Sequence, residues 1–288
     1  MNGSKPCIQV INLQLESAGR PLLRNLNMQV NCGVVTALVG RNPAVWNHLL
    51  RQIAGKQPII DGQIEIWGVP VSQIPRRTID SLICHIPLQE KPIFAYSVME
   101  FIMQGCEVSM KPMQTPQACD HERAMQIMKQ LKIEKLGQRD SSLLNSIELQ
   151  LVLLARGLMQ NARLFLLDDP VSHLKPAAQL ETMTLLLEKV KQNSTALIAF
   201  QDPWLAVQLA DQLVVFDEDG IAAVLYRKQP DFAAAAEYVL NQLLTLDNDG
   251  HLLDNDEKPL VPGGQASLNG SLPPEKESSK KPKSGFIF

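Results

Sequence analysis

The sequence predicts an α/β fold: a mostly parallel sheet, preceded by an antiparallel β-rich opening and interrupted by a helical insert. Two observations carry this expectation. Residues 34–39, 164–167, 195–200 and 212–216 are continuous apolar runs rich in β-formers, of the kind buried on both faces of a parallel sheet. Stretches of helical period separate them, and a strand–helix–strand order closes with right-handed crossovers.

In chain order, alternation in Ile8, Val10, Asn12, Leu13 and Leu15 predicts a first strand, and residues 26–30 a second after a turn at Gly19. These form the antiparallel opening. The buried run at 34–39 ends at Gly40, and an amphipathic stretch from Asn47 to Ile53 stops at Gly55, so strand, loop and helix follow one another. Residues 63–67 read as a strand, 79–86 as a run leading into a Pro-containing loop, and 97–160 as mostly helical. The sheet strands at 164–167, 195–200 and 212–216 come next, then a helix over 233–246. The expected division is one folded domain over 6–246, with its helical insert at about 95–160, and a disordered tail over 247–288 rich in Asp, Asn, Gly, Pro, Ser and Lys. The tail ends on the apolar Gly285-Phe286-Ile287-Phe288.

Composition excludes several classes of function. A chain of 288 residues with 45% hydrophobic and 20% charged residues is an ordinary globular protein, and a net charge of -3 argues against nucleic acid as a partner. Five cysteines without a close C-x-x-C pair argue against a zinc or redox motif. No N-terminal apolar leader is apparent, and no window approaches the roughly 20 apolar residues of a membrane span. The expectation is a cytoplasmic protein.

Four segments carry the functional signal. Gly40-Arg41-Asn42-Pro43-Ala44-Val45-Trp46-Asn47-His48 follows a buried strand, where a phosphate-binding loop would stand. Residues 144–156 run Leu-Asn-Ser-Ile-Glu-Leu-Gln-Leu-Val-Leu-Leu-Ala-Arg, 166–174 run Leu-Leu-Asp-Asp-Pro-Val-Ser-His-Leu, and Phe200-Gln201-Asp202 precedes Ala206 and Asp211. In this order they resemble the P-loop, signature segment, Walker B strand with D-loop, and switch of the ABC ATPase family, over about residues 8–230. Residues 92–105, Pro-Ile-Phe-Ala-Tyr-Ser-Val continuing to Gly105, are similar to the importers of iron-siderophore, haem and cobalamin.

That resemblance implies the ABC ATPase fold, a RecA-like sheet with an antiparallel β subdomain and an inserted helical subdomain. It implies ATP and Mg²⁺ as ligands and a membrane permease as partner. A second ABC ATPase subunit, or another copy of the chain, would complete a dimer at the inner face of the cell membrane. Carried over position by position, Gly40, Arg41, Asn42, Trp46, Asn47, His48 and Gln89 would face nucleotide, and Asn145, Ser146 and Glu148 would form the signature. Asp168 would hold Mg²⁺, and Asp169 and Gln201 would stand at the catalytic positions.

The chain departs from the family pattern where nucleotide is touched. A phosphate-binding loop points successive backbone N–H groups into one concavity, with a lysine on the phosphates and a hydroxyl on Mg²⁺. Here Pro43 removes an N–H, Val45 adds a side chain, Trp46 replaces the lysine and Asn47 the hydroxyl. At roughly 1.5 to 3 kcal/mol per charge-assisted contact, such losses cost on the order of 10²-fold to 10⁴-fold in affinity. Arg41 or Arg51 is the alternative source of a cation. Near Ser17 no ring is available for adenine; Leu88 takes the Q-loop glutamine position beside Gln89, and Ile147 fills a signature glycine. Asp169 replaces the catalytic glutamate, Gln201 the switch histidine and Lys175 the D-loop aspartate. The carboxylate of Asp169 is one methylene short, a retreat of roughly 1 to 1.5 Å that costs about 10²-fold where position decides rate.

The resulting expectation is a degenerate cassette, a pseudo-ATPase scaffold or regulator of an importer. The alternatives are an active ATPase with a rebuilt loop and a soluble binding protein on the same fold. Met99, Met103, Met110 and Met113 read as core or interface filler, and Lys280, Lys281 and Lys283 as a solvated charge run.

Overall fold

The structure, a computed structural model, describes residues 6–88, 95–108, 110, 114–190, 194–217 and 220–243. β1 (Ile8–Ser17) and β2 (Arg20–Val30) form a hairpin, and Ala18 and Gly19 turn it at positive φ. The alternation within β1 changes phase, from Ile8 and Val10 to Leu13 and Leu15, yet all four side chains are buried. A register shift between Val10 and Leu13 explains this. Asn12, at φ 45°, inserts the extra residue of a β-bulge, and its N–H donates to Asn27 Oδ1 at 3.0 Å.

β3 (Val35–Gly40) leads into α1 (Pro43–Ile53), then β4 (Gln63–Ile66) and β5 (Val69–Pro70) return to the hairpin, giving an antiparallel sheet of order β2-β1-β4-β5. α2 (Arg76–Leu82) and β6 (Ile83–Ile86) precede the helices α3 (Val98–Glu107), α4 (Ala118–Gln130) and α5 (Ser146–Met159). The chain then alternates through β7 (Leu164–Asp168), α6 (Pro176–Val190), β8 (Thr195–Ala199), α7 (Pro203–Leu209) and β9 (Gln212–Phe216), and finishes with β10 (Ile221–Tyr226) and α8 (Phe232–Leu243). The second sheet has order β10-β9-β3-β8-β7-β6 and is parallel except for β10.

Period-two alternation splits the strands of this larger sheet between two cores. Leu38, Leu164, Leu166, Leu197, Ala199, Val214 and Phe216 face α1 and the antiparallel sheet. Ala37, Val39, Phe165, Leu167, Ile198, Leu213 and Val215 face the other way, onto the side chains of α3, α5, α6 and α8. A sheet covered on both faces is why these runs read as continuously apolar.

The helical part docks through α3 on α5. A Cβ on Gly105 would stand 2.1 Å from the Arg156 carbonyl oxygen, so the two backbones meet at a distance only glycine allows. Arg156 in turn lies over the Phe101 ring, 4.8 Å from its centroid.

Several boundaries differ from expectation. β2 begins at Arg20, because exposed polar residues alternate through an edge strand. Residues 76–82 form α2, where Arg76 pairs with Asp80 one turn on at 2.9 Å; a short apolar run at Ile79, Leu82 and Ile83 fits helix or strand equally. The antiparallel edge strand β10 follows Gly220, and the first helix starts at Pro43 instead of Asn47. The tail over 247–288, its lysines and its Phe286-Ile287-Phe288 end, Met113, and Pro92 to Phe94 lie outside the described residues.

Candidate functional site

Gly40 closes β3 and cannot carry a side chain: a Cβ there would lie 2.9 Å from Phe216 Cβ and 3.3 Å from Trp46 Cζ3. Asn42 then caps α1, with Pro43 at its first position. Asn42 Oδ1 accepts from the Ala44 N–H at 3.1 Å, and its carbonyl accepts from the Val45 N–H at 3.1 Å. Pro43 has no N–H. The three residues that open the helix therefore leave no backbone donor uncommitted.

The remaining loop residues follow from the helix period. Val45 and Trp46 point inward, and the indole is 1% exposed within the core shared with the antiparallel sheet. Asn47 lies on the other side of α1, where its Nδ2 donates to Asp168 Oδ2 at 2.7 Å. His48 Nδ1 meets Gln57 Nε2 at 2.8 Å, and burial, with Arg51 beside it, holds the imidazole below its ordinary value. Arg41 is half-buried beside the cap.

Asp168 and Asp169 end β7 and follow it, both buried. Burial pushes the Asp168 carboxyl up, opposed by the Asn47 amide, the Leu88 N–H and the charge of Arg51. Asp169 stands in the left-handed region at φ 45°, its N–H donating to the Ala199 carbonyl at 3.0 Å. Complete burial, with Asp168 and Asp202 as like charges, pushes its carboxyl up to about 7, although the Ser172 hydroxyl and the Gln201 N–H both donate to it. Its Oδ2 and the Gln201 Oε1 are buried with no hydrogen-bond partner among the described residues. Asp202 caps α7, accepting from the Trp204 and Leu205 N–H groups at 2.8 and 3.1 Å.

Asn145, Ser146 and Glu148 form a separate group at the start of α5. Asn145 Oδ1 accepts from the Glu148 N–H at 2.9 Å, and Glu148 Oε2 accepts from the Asn145 N–H at 3.0 Å, a reciprocal capping box. Arg139 closes on the free Glu148 oxygen at 2.6 Å, and the Asn145 N–H and then Arg139 hold that carboxyl below its ordinary value. Ile147 stays exposed on the rim of an apolar groove of about 490 Å³ that also takes in Leu151, Leu174 and Leu185.

The structure thus joins Asn47 to Asp168 and Asp169 to Gln201, and leaves the Asn145 group to itself. Gln89 lies outside the described residues. Sequence reasoning gave Ser172 and Arg139 no role; the Asp-x-x-Ser spacing after β7 could have pointed to the first, whereas nothing local to Arg139 announces its ion pair.

The ABC transporter family profile matches residues 23–172, just over half of the chain. An uncharacterized ABC transporter ATP-binding protein of Haemophilus influenzae is 28% identical over 211 residues, covering 73% of this chain and 80% of that protein. The hemin import ATP-binding protein HmuV of Deinococcus radiodurans is 29% identical over 228 residues, 77% of this chain and 85% of its own. A solved ATP-binding cassette of an ABC transporter, in its ADP conformation, superposes with a TM-score of 0.67 at 20% identity, over 83% of this chain and 96% of that one. At that identity the likeness establishes the fold.

Proposed function

The chain belongs to the ABC transporter family, and from that membership we propose that it is a cassette subunit of a membrane importer that acts as scaffold or regulator and does not hydrolyse ATP. The hydrogen bond from Asn47 to Asp168 at 2.7 Å carries this reading. The Asn47 amide N–H thus meets Asp168 where the resemblance would set a hydroxyl beside Mg²⁺, and an amide nitrogen is no metal ligand.

The other residues at the site do not fit Mg-ATP either. An anion at a helix N-terminus is held by free N–H groups, and Asn42 has taken those of Ala44 and Val45 while Pro43 has none. Trp46 fills core where a cation should reach out. Gly40, Arg41, Asn42, Asn47 and His48 are then remnants of a nucleotide loop, and Asp169 and Gln201 remnants of a hydrolytic pair. Asn145, Ser146 and Glu148 serve their own helix.

The rest of the reading places a single cassette over 6–246, its helical insert over about 95–160, on the cytoplasmic side of a permease. It pairs there with an active ATPase subunit or with another copy of itself. The importer assignment draws support from relatives named for hemin and molybdate import. A rebuilt but active site is the second reading, favoured by one observation: the charge of Arg51 is felt at Asp168.

Calorimetric titration with Mg-ATP and phosphate release, beside Asp169→Asn, separate these readings. The expected result is no micromolar binding and no turnover. Tight binding with turnover that Asp169→Asn removes establishes the active enzyme instead, and co-purification with an integral-membrane permease distinguishes a scaffold from a soluble binder.

A further inference from the structure

A second chemistry sits at the base of the β1–β2 hairpin. Cys7 immediately precedes β1 and Cys32 follows β2, and the pairing of Ile8 with Val30, with Cys7 N–H donating to the Val30 carbonyl at 2.7 Å, brings the two together. Their thiols are hydrogen-bonded to each other. The Thr195 hydroxyl also bonds Cys7, while its oxygen accepts from the Gly33 N–H at 2.9 Å. Cys7 is fully buried and Cys32 exposed, so one sulfur of the pair meets solvent and the other waits behind it. The remaining cysteines stand apart from this contact: Cys84 on β6, Cys106 on α3 and Cys119 on α4.

We propose that Cys7 and Cys32 form a reversible dithiol–disulfide pair, oxidised by a low-molecular-weight disulfide. In the first step the Cys32 thiolate attacks one sulfur of R–S–S–R, the S–S bond breaks, and one RS⁻ leaves to be protonated by water. In the second, Cys7 gives its proton to solvent, its thiolate attacks the Cys32 sulfur, and the second RS⁻ departs. Two protein thiols lose two electrons in forming one disulfide, and the small disulfide gains them as two RSH.

Exposure fixes the order of these steps, and burial gives the second its pH dependence. Desolvation pushes the Cys7 thiol up to about 12, with Cys32 adding to the rise, while Thr195 and the facing charge of Arg163 act against it. The second step therefore needs a thiolate that burial disfavours, and it quickens as pH rises through the neutral and mildly alkaline range. Once formed, the bond closes the hairpin at the point where the chain turns through Gly33 into β3, the strand that ends at Gly40. Oxidation then stiffens the join between the two sheets, whether or not the cassette binds nucleotide.

The test uses the reduced full-length protein with oxidised glutathione between pH 7 and 9, followed by acid quench, alkylation under denaturing conditions and peptide mass spectrometry. Expected are a linked Cys7–Cys32 peptide in monomeric protein, closure of the Cys32 adduct several-fold faster at pH 9 than at pH 7, and full reversal by dithiothreitol. Cys32→Ser, at an exposed position, abolishes the product, and Cys119→Ser leaves it unchanged. A glutathione adduct that stays on Cys32 at every pH with Cys7 still alkylatable, or a Cys32 bridge between molecules, overturns the proposal.

Discussion

Trp46 lies against Gly40, so near that a Cβ on the glycine would stand 3.3 Å from the indole Cζ3. The contact makes the tryptophan a floor beneath the loop. Restoring a lysine with Trp46→Lys is expected to destabilise the fold by at least the cost of truncating a buried tryptophan, about 3 to 5 kcal/mol, and to create no nucleotide binding. Urea unfolding and calorimetry on one preparation check both halves; micromolar Mg-ATP affinity in the variant contradicts the reading.

Asn47→Ala removes a donor from a buried carboxylate and is expected to cost about 1 to 3 kcal/mol. In a double-mutant cycle with Asp168→Asn, the coupling should fall between about 0.5 and 3 kcal/mol. Millimolar Mg²⁺ should leave the melting temperature of the wild-type chain unmoved, because an amide N–H and not a ligating oxygen of Asn47 meets Asp168.

Asp169 makes stability fall as pH rises. Its folded-state carboxyl, at about 7, is above the ordinary 3.8, so its contribution is full below pH 3.8 and lost as pH climbs through 7. The loss is on the order of 4 kcal/mol. Asp169→Asn should flatten this limb and unfold later than wild type at pH 8, read from urea midpoints at pH 5 and pH 8.

His85, on β6, works in the opposite sense. Its Nδ1 is buried with no hydrogen-bond partner among the described residues, and burial, with Lys56 and Arg51 nearby, pushes the imidazole down to about 3 from 6.5. The folded state resists protonation, so this contribution is full above pH 6.5 and is lost as pH falls from 6.5 towards 3. In wild type the two slopes oppose each other between pH 4 and 6.5, so His85→Phe should leave the Asp169 slope unopposed, with urea midpoints that fall from pH 4 to pH 6.5.

Gly105→Ala places a methyl 2.1 Å from the Arg156 carbonyl, which only a shift of α3 can relieve. A loss of about 1 to 3 kcal/mol is expected, as for other overpacked contacts. Gly137→Ala is the control for glycine loss without a clash, since its φ is -51° and the nearest atoms a Cβ would meet lie at 3.4 and 3.5 Å.

The layered architecture was legible because strands buried on both faces leave apolar runs that little else produces, as at Phe165 and Leu166. The opening of α1 was legible in part, since by residue type alone Pro43 lacks an N–H and Trp46 is a large apolar ring suited to the core. What the sequence could not show was where the replacements point. Asn47 reads as a lost hydroxyl until its amide is found on Asp168, 121 residues away. The Cys7–Cys32 contact depends on hairpin pairing, which no spacing rule for cysteines captures. The start of α1 was misplaced because Asn42 and Pro43 read as fragments of a loop motif, although Asn before Pro is also a strong helix-start signal.

The backbone contact between Gly105 and Arg156 has a mechanical meaning. With no side chain between them and the Arg156 guanidinium resting on Phe101, α3 and α5 have no slack in which to slide. The two helices therefore meet through backbone at Gly105, with no layer of side chains to repack between them there.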